Sequence, residues 1–297
     1  MAIKIVCDAV SNLFKSIVKE KNLDVKVMNV HLDIGDKEYN CYDDDLDIEE
    51  FSKHYYEAME RGEEAKTTLV NPQQYIDVFE EVAKNNDQVI CFTMAKGISG
   101  TYNSAIMAMN EINDKYQREV AYVVDTMTAG LGEGMQVIHA DKLIKEGKSF
   151  TEVKHAVDKY RLSVRSDFTV GNVQYLIKTG RASKTLAKFI HFLKIRVLLK
   201  HNEESKIALL TTAIGKEKAI RKLADIVLDK YDKQLVDETI YITHCNVLED
   251  AQKLEQYLRD GGVKNNIEIY YYDLVSGAHI GPGSLAIFYL ARKGQTK

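Results

Sequence analysis

Proline occurs only twice in the 297 residues, and both positions are informative. Pro72 follows Asn71 where a helix should begin, and Pro282 stands between two glycines. Long apolar runs are also missing. No stretch approaches the roughly 18–20 residues of a membrane-spanning helix, which excludes that class. A basic excess is absent too: 40 Lys and Arg against 44 Asp and Glu leave a net charge of −4, so a nucleic-acid partner is not expected. Cysteine is scarce and unpaired in sequence, for Cys7, Cys41, Cys91 and Cys245 form no CxxC motif. Reduced thiols, a cytoplasmic location and no disulfide or zinc site are expected, with a Cys/His metal cluster involving His244 as the alternative. Met1-Ala-Ile-Lys4 leads directly into a strand pattern, so no signal peptide is expected. The P-loop, HExxH and GxSxG patterns of common enzymes do not occur.

What remains is an ordinary globular composition, 45% apolar and 28% charged, long enough for two domains. Residues 91–105, CFTMAKGISGTYNSA, organise it. The apolar run Val89–Met94 predicts a strand buried on both faces. It breaks at Gly97-Ile-Ser99-Gly100-Thr101 and resumes as a helix with Ile106, Met109, Ile112 and Tyr116 on one face. A strand, a glycine turn and a helix start gather free N–H groups and two hydroxyls where an anion could bind. Ser99 and Thr101 acting only as helix caps is the alternative.

Along the chain, Ile3–Cys7 reads as a strand and Lys26–His31 as another, with a hairpin turn at Ile34-Gly-Asp-Lys37. The acidic run Asp43-Asp-Asp45 with Asp47 is read as capping the helix of Ile48, Phe51, Tyr55 and Met59 rather than binding magnesium. Thr67-Thr68 enters a helix fixed by Asn71 and Pro72, and a loop from Asp125 to Gly132 follows the strand Val120–Val124. Loops of this kind after successive strands line the cleft of an open α/β sheet. Ser149-x-x-Glu152 is a capping box.

Beyond it, strands are expected at Phe168–Val170, Lys206–Thr211, Glu238–His244, Ile267–Leu274 and Leu285–Leu290, with helices at Lys216–Tyr231 and Glu249–Asp260. More strands per helix imply antiparallel pairing covered mainly on one face. The fold class is therefore α/β: an N-terminal, mostly parallel Rossmann-like domain over 1–163, and a C-terminal α/β domain with a mixed or antiparallel sheet over 164–297. The second half offers two glycine-associated sites. Lys178-Thr-Gly180-Arg181 presents a guanidinium suited to a carboxylate or phosphate, or a plain surface charge. Ser276-Gly-Ala-His279-Ile-Gly281-Pro-Gly283 presents a titratable imidazole, or is an irregular connection. Between them, LAKFIHFLKIRVLL (186–199), apolar at Leu186, Phe189, Ile190 and Leu193, reads as a helix over the cleft or an ordinary core helix.

TTLVNP, GISGTYNSA, VDTMTAGLG, FTVGNVQYLIKTGR, HCNVLED and AHIGPGSLAIFYLA occur in the order and spacing of the DegV family of fatty-acid-binding proteins, which the whole chain resembles. The resemblance implies a two-domain carrier that buries one long-chain fatty acid between its domains. It places carboxylate binding on Thr67, Thr68, Ser99 and His279, with Arg181 of the glycine-arginine turn in support. Gly97, Gly100, Thr101, Thr126, Gly281 and Gly283 become the loop positions that hold these groups. No metal and no cofactor besides the fatty acid are implied. The partner would be a fatty acid kinase making an acyl phosphate for phospholipid synthesis, as with members resembling FakB, with transient membrane-surface contact for lipid exchange.

The chain departs from that family at several points. The N-terminal TDST-type motif is CDAVSNL, keeping Asp8 but not the hydroxyls; TSQPS is TTLVN; Ala95 and Lys96 replace two serines. Arg196-Val-Leu-Leu199 lacks the proline of a KPIL-type segment, and an arginine-bearing stretch reads Ala213-Ile-Gly215. Three functions compete: a lipid carrier, a lipid sensor or regulator without a kinase, and an enzyme on a small carboxylated or phosphorylated metabolite. For the last the sequence offers no base paired to an obvious nucleophile.

Overall fold

The computed structural model describes residues 1–35, 37–40, 47–182, 186 and 194–292. In chain order the strands are β1 (Ile3–Asp8), β2 (Val25–Met28), β3 (His31–Ile34), β4 (Lys37–Asn40), β5 (Ala65–Thr67), β6 (Gln88–Thr93), β7 (Ala121–Asp125), β8 (Val164–Thr169), β9 (Ile195–His201), β10 (Ile207–Ile214), β11 (Ile240–His244), β12 (Ile267–Tyr271) and β13 (Leu285–Leu290). Four of them form a parallel sheet in the order β2-β1-β6-β7. Its central strands are buried almost throughout, as a parallel sheet covered on both faces requires. The strand expected at Lys26–His31 is instead two. Asn29 turns its amide oxygen onto the Val30 N–H at 2.9 Å, a local bond that competes with the ladder. The chain then leaves for a small antiparallel sheet, β4-β3-β5, in which the expected hairpin sets Ile34 opposite Lys37.

Helix starts follow their caps. Asp47 accepts from the Glu49 and Glu50 N–H groups, and Asn71 and Ser149 each complete a capping box. The acidic positions 43–45, the apolar positions Phe189, Ile190 and Leu193, and Cys41 lie outside the described residues.

The second domain holds a mixed six-stranded sheet, β10-β9-β8-β13-β11-β12, antiparallel except for β11/β12. The helices Lys216–Lys230 and Leu248–Asp260 bury one face in a core of their own, which includes Leu198, Ile242 and Tyr289. The other face, with Phe168, Leu199 and Phe288, joins the core of the first domain. Two expectations are corrected here. Ile195–Leu199 continue no helix but lie in β9, where β-branched Ile195 and Val197 pair with β10, and Leu198 and Leu199 pair with both β8 and β10. The strand expected to reach Leu274 ends at Tyr271, and Asp273 caps a short helix, Leu274–Ile280, by accepting from the Ser276 N–H at 2.7 Å. Glycine obscured that helix in the sequence. Gly277 is needed because a Cβ there would lie 2.2 Å from the Tyr56 hydroxyl.

Candidate functional site

Three loops leave the carboxyl ends of β1, β6 and β7. Asp8 closes the first: one oxygen accepts from the Val10 N–H (2.9 Å) and the other from the Met94 N–H (3.1 Å). In the second, the Ser99 hydroxyl accepts from the Thr101 N–H at 3.2 Å and donates to the Thr101 hydroxyl at 3.0 Å. Capping is therefore part of its role, yet the helix Thr101–Tyr116 has backbone alone at its N-cap, Gly100. The third loop is tied by Thr126, whose hydroxyl donates to the Thr93 carbonyl. Asp125 binds this floor to the other domain. One oxygen accepts from the Lys96 and Met127 N–H groups, and the other from the Ser205 hydroxyl at 2.8 Å. The same turn explains Gly97, where a Cβ would stand 2.4 Å from the Ser205 carbonyl oxygen.

From the second domain, His279 rides the last turn of the helix Leu274–Ile280 and shares a 3.2 Å hydrogen bond between Nε2 and the Thr67 hydroxyl. Arg181 follows the helix Gln174–Lys178, donates to the Thr179 carbonyl and reaches the Ile98 carbonyl of the glycine turn at 3.4 Å. Thr68 is engaged differently. Its hydroxyl accepts from the His31 N–H at 3.0 Å and donates to the His31 carbonyl at 3.4 Å.

These groups line one cavity between the domains. Thr67, Thr68, Ser99, Thr101, Arg181 and His279 supply polar groups. Val30, Met94, Phe168, Leu176, Ile207 and Val275 are among its apolar walls. Gly100 lines it as well, whereas Gly97, Thr126, Gly281 and Gly283 stand outside the lining. Asp8, His201 and Ser276 also face the cavity. The sequence carried no sign of His201, which ends β9 beside the ring of Phe168. Ser276 was visible only as one residue of the glycine-rich stretch.

The model of the DegV family, described as an uncharacterised protein family, matches residues 2–292. This chain belongs to the DegV family. A DegV domain-containing protein of Clostridium perfringens is 31% identical over 293 residues, covering 98% of this chain and 97% of the relative. Among solved structures, the fatty acid binding DegV family protein of Streptococcus agalactiae matches at TM-score 0.83 and 24% identity, covering 99% and 100% of the two chains. The Streptococcus pneumoniae fatty acid kinase B3 protein, loaded with linoleic acid, matches at TM-score 0.80 and 24% identity, covering 98% and 100%. These likenesses establish the two-domain DegV fold.

The electrostatics of this DegV site divide by depth. Burial, with the Arg181 charge nearby, lowers the His279 pKa to about 4, so the imidazole is neutral at pH 7. Burial also raises Asp8 to about 6 against its two N–H donors, and raises buried Glu133 and Asp273 well above the carboxylate range. The guanidinium is thus the fixed positive charge among the polar groups of the cavity. The structure does pair a hydroxyl with an imidazole, Thr67 with His279. The other imidazole nitrogen, Nδ1, is buried without a partner, so no carboxylate among the described residues orients the ring as a nucleophile-activating base requires. Hydroxyls, a neutral imidazole and a guanidinium beside apolar walls suit an amphipathic carboxylate.

Proposed function

We propose that this DegV protein binds one long-chain fatty acid in the interdomain cavity and carries it with its carboxylate at Thr67, Ser99, His279 and Arg181. One observation carries the reading: these four groups, from separate elements of both domains, converge on a cavity whose remaining walls are largely apolar. The fatty acids in the names of structurally similar proteins support it. The protein is a carrier, not an enzyme, and no cofactor or metal enters the reading. Delipidated protein titrated with oleate or palmitate in a calorimeter should take up one equivalent. Saturable binding of small phosphorylated or carboxylated metabolites, with none of fatty acid, would favour the enzyme reading instead.

The finer role is presentation of the carboxylate to a separate fatty acid kinase, with brief membrane-surface contact during lipid exchange. One observation favours a sensor without that partnership: Ile214, in place of the family's arginine-bearing stretch, is 67% exposed. Acyl phosphate formation with a standard family kinase should accordingly be slow. Full-rate turnover in a reconstituted assay would show that positions 196–199 and 213–215 do not determine docking.

A further inference from the structure

Strand β10 is an edge of the six-stranded sheet: β9 pairs with one side, and among the described residues no strand pairs with the other. Its sequence, Ile207-Ala-Leu-Leu-Thr-Thr-Ala-Ile214, contains no charge and no proline. Proteins ordinarily protect such edges with lysine, proline, bulges or short strands. The Lys222 ammonium of the next helix rests on the Thr212 carbonyl and covers that position, while β10 itself carries no charge of its own. Its last residue, Ile214, is 67% exposed.

A bulge is present, and it selects the partner. Opposite β9, Leu209 faces Leu199 and Thr211 faces Leu198, so Leu210 is the extra residue. The insertion shifts the alternation, leaving Ile207, Leu209, Thr212 and Ile214 in one phase and Ala208, Thr211 and Ala213 in the other. A regular strand added to this edge would match one half and miss the other. A strand with the same shift would match both.

We infer that the β10 edge pairs antiparallel with the β10 edge of a second copy of this chain, about a two-fold axis between Leu210 and Thr211. That register sets Ile207 opposite the partner's Ile214, Leu209 opposite the partner's Thr212, and Ala208 opposite the partner's Ala213. Every opposed pair outside the central Leu210 and Thr211 shares a phase, and like residues meet at the ends and next to them. The contact is isologous and joins two sheets into one. A single strand edge is smaller than a standard interface, so the association is weak and concentration-dependent.

Sedimentation equilibrium of the full chain over a wide concentration range tests this, with Ile214→Glu as the breaking variant and Met107→Glu, at an exposed apolar residue on another surface, as the control. The wild type and Met107→Glu should form dimers with similar constants, and Ile214→Glu should weaken the dimer at least tenfold. Hydrogen exchange of the wild type gives an answer without a variant: amides of 207–214 should gain protection as concentration rises. A wild type that stays monomeric, a dimer indifferent to Ile214→Glu, or protection gained elsewhere and not at 207–214 would overturn the inference.

Discussion

The two domains bring different chemistry to one cavity. The first supplies the hydroxyls of Thr67, Ser99 and Thr101, the backbone of the glycine turn, and the Asp8 carboxyl held by its two N–H donors. The second supplies the Arg181 guanidinium and the neutral imidazole of His279. Neither set alone makes a carboxylate site. The pairing of Thr67 with His279 and of Arg181 with the Ile98 carbonyl depends on how closely the domains meet. In the proposed carrier, recognition of the head group is therefore tied to the interdomain fit.

The strongest way to break the comparison is to separate the halves. Gly97→Ala forces a methyl against the Ser205 carbonyl and should cost about 1–3 kcal/mol in denaturant unfolding, with weaker lipid binding. Gly100→Ala, whose Cβ would meet only the Leu69 side chain at 3.6 Å, should be nearly neutral for stability. Equal effects would mean that the glycine turn does not set the domain fit.

The next test acts on one group from each side. A tail of ~15 methylenes contributes roughly 12 kcal/mol before ordering costs, at about 0.8 kcal/mol each. A hydrogen bond to a charged carboxylate contributes only ~1.5–3 kcal/mol. Ser99→Ala and His279→Ala should each retain lipid, with affinity lowered roughly ten- to a hundredfold. Loss of all binding by either variant in a folded state would contradict the dominance of the tail.

Within the first domain, Thr67 and Thr68 should separate. Thr67→Val removes the partner of His279, whereas the Thr68 hydroxyl is already engaged by the His31 backbone. Thr67→Val should weaken binding roughly tenfold, and Thr68→Val by less than about threefold, as measured by fluorescent fatty-acid displacement. Equal losses would make both threonines ligands.

The smallest effect is in pH. His279 has a folded pKa of about 4, below its ordinary 6.5, so the unfolded chain binds more protons between those values. Its contribution to stability is lost as pH falls through that window. Asp8, raised to about 6, acts oppositely as pH falls between 6 and 4. His279→Gln should flatten the His279 part of the slope, and NMR should show the imidazole of ligand-free protein titrating near 4. Titration at or above 6.5 would mean that the ring is hydrated.

The first domain was legible because its signals are local. Asn71 with Pro72, the capping box at Ser149 and the continuous apolar run of β6 each act within a few residues. Ser99 was legible for the same reason, since strand, glycine turn and helix adjoin. The second domain misled where tertiary context decides. Ile195–His201 is a strand because β8 and β10 flank it, and nothing local says so. Leu274–Ile280 is a helix despite Gly277, because Tyr56 fills the space of a missing side chain. The Thr67–His279 pair joins residues 212 apart in sequence, beyond any local pattern. The family resemblance, not the spacing, named both residues.

Fatty-acid binding is the central claim, and native mass spectrometry of the purified protein tests it most directly. One fatty acid per chain, released on denaturation and recovered in an organic extract, is the predicted result. Protein that carries no lipid, and after delipidation takes up neither oleate nor palmitate, would contradict it.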